Sequence, residues 1–73
     1  MSQEDLIAQL EDMLQVDAGS LKADTLLETV PQWDSLAAIS LIALADSVFE
    51  RVLEPMAIAR AKSVRDLVNL LQG

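Results

Sequence analysis

The chain has 73 residues, 52% of them apolar and 3% aromatic, and 12 acids against 5 bases give a net charge of −7. It contains no Cys and no His, which excludes disulfides, thiolate metal sites and any hydrolase that needs its own Ser-His or Cys-His pair. Leu, Ile, Val and Phe supply 24 residues, too many for a disordered chain, yet a domain this short buries only roughly 60% of its unfolded surface.

The first helix opens at Ser2, which with Asp5 three residues on forms a capping box. Leu6, Ile7, Leu10, Met13 and Leu14 follow at helical spacing, with Glu4, Glu11 and Asp12 mostly on the opposite face. The pattern predicts about four turns, ending near Val16 ahead of the breaker cluster Asp17-Ala18-Gly19-Ser20. Residues 17–34 read as one long loop, pinned to the core by its leucines; a loop of that length in so small a domain is often functional.

Pro31 disfavours helix at Val30, so a second helix is predicted from Asp34 or Ser35 to Arg51 or Val52. Its apolar positions include Leu36, Ile39, Ile42, Ala43, Ala45, Phe49 and Val52, widened by Leu41 and Leu44. A helix apolar around so much of its girth is expected to be central and covered on several sides. Pro55 suits the first turn of a short helix over Met56–Arg60. Ser63 and Asp66 form a second capping box, followed by Val64, Leu67, Val68, Leu70 and Leu71 on one side, and Gly73 ends the chain. No run alternates as a strand would. The expectation is all-α: a small four-helix bundle in a single domain over residues 1–73, with three longer helices, one short one and a long loop between the first two.

Charge is uneven along this plan. Residues 1–50 hold ten acids and one base (−9), and residues 51–73 hold two acids and four bases (+2). That sign is wrong for a nucleic-acid binder or an anionic membrane surface and suits basic protein partners. The N-terminus lacks the basic-then-apolar pattern of a signal peptide, and the apolar stretch Leu36 to Ala45 is too short to span a bilayer. A cytoplasmic, free-standing monomer is expected.

The chemistry concentrates in Val30-Pro31-Gln32-Trp33-Asp34-Ser35-Leu36, where a hydroxyl meets the start of the second helix. Unpaired N–H groups and the positive end of the helix dipole would favour a phosphate on Ser35. Either Ser35 or Asp34 could equally serve as the N-cap, and Trp33 could simply anchor the loop.

Trp33-Asp34-Ser35-Leu36 stands among Asp24-Thr25 and Leu27 of the loop, Ile39, Leu41, Ile42 and Phe49 of the second helix, and Ser63-Val64-Arg65-Asp66-Leu67 opening the last. Over nearly its whole length the chain resembles the carrier-protein family, the acyl carriers and the related peptidyl and aryl carriers. The resemblance implies that Ser35 carries 4′-phosphopantetheine, attached by a phosphopantetheinyl transferase that takes it from coenzyme A with magnesium. The arm's thiol would hold acyl or aminoacyl cargo as a thioester, loaded by a ligase and passed to downstream synthases and transferases of a fatty acid, polyketide or secondary metabolite pathway. The protein would then be a substrate of those enzymes and no enzyme itself, with no metal site of its own. A chain without Cys has no thiol for this role, and the transferase's base would make a His here unnecessary.

The resemblance also implies that partners read the second helix, through Trp33, Asp34, Leu36, Ala43, Asp46 and Glu50. Unlike carriers of fatty-acid synthesis, the helix has only Asp46 and Glu50 for acids, among Ala37, Ala38, Ser40 and Ser47, which suggests more apolar docking surfaces. The alternative is a small helical interaction domain with no prosthetic group, its apolar second helix burying a partner helix.

Overall fold

A computed structural model describes residues 2–72. Met1 and Gly73, on which the expected chain start and helix end fall, lie outside the described residues. Four helices follow in order: α1 (Gln3–Leu14), α2 (Ser35–Val48), α3 (Pro55–Arg60) and α4 (Val64–Gln72), with one 3-10 turn, Leu27–Thr29, in the long loop. The all-α bundle is as expected. Helix α1 packs on α2 and α4, and α3 packs on the same two.

The Ser2–Asp5 capping box forms in both directions. Helix α1 ends at Leu14, two residues short of the expected Val16. Gln15 takes a left-handed φ of 58°, and the Val16 amide returns to the Glu11 carbonyl at 3.0 Å. Those bonds satisfy carbonyls that another turn would otherwise have used. Glu11, expected on the solvent face, is instead 7% exposed, and its Oε2 accepts the Leu21 N–H at 3.0 Å. An acid sits in the core because it supplies a partner to a buried loop amide.

The loop is pinned by Leu21, Leu27 and Val30, which are buried, but Leu26 is 47% exposed. Its middle is laced to the start of α4. Leu27 N–H donates to the Lys62 carbonyl at 2.8 Å, Val64 N–H to Thr25 at 3.0 Å and Arg65 N–H to Ala23 at 2.9 Å. The first amides of α4 thus find loop carbonyls where the helix itself offers none. Ser63 and Asp66 bond reciprocally, as the capping-box spacing requires.

Helix α2 stops at Val48, well before Arg51 or Val52. Glu50 adopts φ 54°, and the Arg51 amide folds back to the Ala45 carbonyl at 3.0 Å. This turn brings Leu53 inward to 6% exposure and leaves Val52 86% exposed. The apolar stripe also divides differently from the expectation. Ala37, Leu41 and Ala45 face the core, while Leu36 and Ile39 are largely exposed.

Candidate functional site: the start of helix α2

The loop delivers its chain to α2 through Val30, which is buried, and Trp33, whose side chain is half-buried against the core and whose backbone N–H donates to the Val30 carbonyl at 3.0 Å. Asp34 is the N-cap: its Oδ1 accepts the Ala37 amide at 2.9 Å, and its carbonyl accepts Ala38 N–H at 3.0 Å. That settles which of the two candidate residues caps. Ser35 is the first residue of the helix, exposed, with its hydroxyl making no hydrogen bond among the described residues. Its own amide and that of Leu36 remain as donors at the positive end of the dipole.

Leu36, Ile39, Ala43 and Asp46 recur at helical spacing on one exposed face. Leu36 is 70% and Ile39 63% exposed, so both belong to the surface and not to the core. The structure therefore groups Trp33, Asp34, Ser35 and Leu36 at one end and places Ala43 and Asp46 farther along α2. Glu50 lies beyond the helix, in its closing turn, so it does not continue the Asp46 face as an i, i+4 neighbour. Ile39, expected only as one of the apolar positions of the helix, shares this exposed face with Leu36 and Ala43.

An apolar groove of about 390 Å³ starts at Ser35. Ala38, Ile39 and Ile42 of α2 form one wall, and Pro55, Ile58 and Ala59 of α3 form the other. Sequence periodicity does not reveal it, because it arises from the spacing between two helices. Among the described residues no group of three or more acidic ligands is placed to hold a metal ion. Among the described residues no helix is long and apolar enough to cross a membrane.

No family model matches the chain, and no curated protein does. Its structure is similar to the solution NMR structure of holo acyl carrier protein from Geobacter metallireducens, with a TM-score of 0.77 and 22% identity, over 99% of this chain and 84% of that one. The chain has the acyl-carrier-protein fold.

Proposed function

We propose that the protein is a carrier domain whose Ser35 is the attachment point of 4′-phosphopantetheine. The observation that supports this most is the division of labour at the helix start: Asp34 caps, so the Ser35 hydroxyl is exposed and uncommitted. The residues fit the group. Two free amides and the helix dipole favour the diester's negative charge, and the apolar groove begins at the same serine. When bound, the arm supplies the thiol that this Cys-free chain lacks.

In the attachment step the Ser35 Oγ displaces adenosine 3′,5′-bisphosphate from the pyrophosphate of coenzyme A. The new bond is Oγ–P, the bond broken is the pyrophosphate P–O, and the serine proton passes to a base of the transferase. Asp34 keeps the first turn of α2 closed while Ser35 is presented. Leu36, Ile39 and Ala43 offer an apolar docking face, with Trp33 and Asp34 beside the attachment point and Asp46 and Glu50 adding charge for basic partners. The partners are a phosphopantetheinyl transferase, a loading ligase and the synthases or transferases that take the cargo. The carrier itself is not an enzyme, and a cytoplasmic monomer suits this work.

Intact mass tests the reading. Incubation with coenzyme A, magnesium and a broad-specificity transferase is expected to add one phosphopantetheinyl group to the parent and none to Ser35→Ala. A folded parent that gains nothing leaves Ser35 as an ordinary first-turn residue and favours a helical interaction domain.

A further inference from the structure

Two open hollows, of about 340 and 300 Å³, run into one another along the seam between α3 and α4, with Ala57, Asn69 and Leu70 common to both. Arg51 and Val52 line the first and Arg60 the second. No residue of α2 borders this trough, and it shares only Ala61 with the groove that starts at Ser35. None of the ten acids of residues 1–50 borders it either. The left-handed turn at Glu50 and the Arg51 N–H bond to the Ala45 carbonyl hold Arg51 and Val52 outward, Val52 being 86% exposed.

The trough has two acids of its own, Glu54 and Asp66, and the Asp66 Oδ2 is already taken by the N–H groups of Lys62 and Ser63 at 2.9 and 3.2 Å. Arg51 and Arg60 are exposed, and neither guanidinium donates a hydrogen bond among the described residues. Lys62 and Arg65 are exposed beside it, at the start of α4, where the helix dipole disfavours a cation. Helix stability accounts for Arg60, in the last turn of α3, but not for those two.

We propose that the α3–α4 seam is a second docking surface, fitted to an amphipathic acidic segment of a partner protein. Its apolar side chains would cover Val52, Ala57 and Leu70, and its carboxylates would meet Arg51 and Arg60. The net charge of −7 does not forbid this. Exposed charges more than about 8 Å apart are largely screened at physiological salt, and the molecule measures 26 × 24 × 19 Å, so the nearest charges decide. The inference goes beyond the carrier reading: a partner held here leaves Ser35 and the α2 face open, so one protein can retain the chain while another works on the serine.

The test titrates the intact, isotope-labelled chain at physiological salt with a fluorescent helical peptide built of Glu-Glu and Leu-Leu pairs. Amide NMR shifts and fluorescence polarisation are read together. The peptide is expected to move the amides of residues 51–60 and of α4 and to leave residues 35–43 in place. Reversing both cations, Arg51→Glu with Arg60→Glu, replaces two modest surface attractions by two repulsions and should weaken binding about tenfold. Arg51→Gln with Arg60→Gln should fall between, and Asp46→Asn should change nothing. Transfer of phosphopantetheine to Ser35 should proceed at the same rate under saturating peptide. No binding, equal affinity in the reversed variant, shifts centred on α2, or blocked transfer each overturn the proposal. Concentration-dependent shifts of the same amides without peptide would make a second copy the occupant and overturn a distinct partner. A chain that binds the peptide as expected but gains no phosphopantetheine overturns the carrier reading and keeps the docking surface.

Discussion

Glu11 of α1 accepts the backbone N–H of Leu21 at 3.0 Å, ten residues along the chain, from a side chain only 7% exposed. The bond fastens the beginning of the long loop to the first helix. Removing the acceptor leaves a buried amide unpaired, which costs about 1–3 kcal/mol. Glu11→Ala is therefore expected to destabilise by that amount in urea denaturation. Glu11→Gln keeps an acceptor oxygen and should lose clearly less. Equal losses in the two variants would show that the amide does not depend on this partner.

At the start of α2 two adjacent residues should separate stability from modification. Asp34→Ala removes the cap on Ala37 N–H and is expected to cost about 1 kcal/mol, with Asp34→Asn largely sparing it. Ser35→Ala touches a hydroxyl without a partner, so its stability should stay within about 0.5 kcal/mol of the parent while phosphopantetheine incorporation is abolished. Thermal melts and intact mass on the same samples check both. A large destabilisation by Ser35→Ala would make the serine structural.

Asp66 links stability to pH. The Lys62 backbone N–H donating to its Oδ2 at 2.9 Å holds the carboxyl below the ordinary aspartate range; partial desolvation opposes this, and Ser63 and Arg65 add to the lowering. The folded-state value lies below the unfolded one. The contribution is thus fully present above the unfolded value of about 3.9 and is lost as pH falls through the folded value. Denaturation below about pH 4 is expected to show a shallower pH dependence in Asp66→Asn than in the parent. Parallel curves would remove Asp66 from the acid transition.

The −9 charge of residues 1–50 should make the fold sensitive to ionic strength. Salt or divalent cations screen mutual repulsion among acids on α1 and the loop. The melting temperature is expected to rise from low to moderate salt, with about 1 kcal/mol appearing as about 4–8 °C in a domain of this size. A flat or falling response would mean that the acids are already spaced beyond effective repulsion.

The two capping boxes, the proline that starts α3 and the Asp34-Ser35 helix start were legible because each depends on neighbours within one turn. What faces what on α2 was not. With Leu or Ile at nearly every turn, no polar side marks the surface, and packing selects small Ala37 and Ala45 beside Leu41 for the interior. That choice reflects how closely α2 lies against the helices around it, which periodicity does not encode. The end of α2 was hidden for a related reason: Phe49 and Val52 keep an apolar rhythm across a left-handed turn at Glu50. Glu11 misled because its partner is a backbone amide in a loop, invisible to any reading of side-chain spacing.

The bonds from Leu27, Val64 and Arg65 across the loop–α4 seam behave as a single fastening. Each joins residues far apart in the chain, so each must close a long stretch of chain, and the loop is expected to order late in folding. In the native protein those three amides should open together, exchanging their hydrogens at one shared rate slower than the loop's exposed stretches. The approach to Ser35 is therefore steadied by the far end of the chain, and loosening α4 would release the loop while the first turn of α2 keeps its own cap.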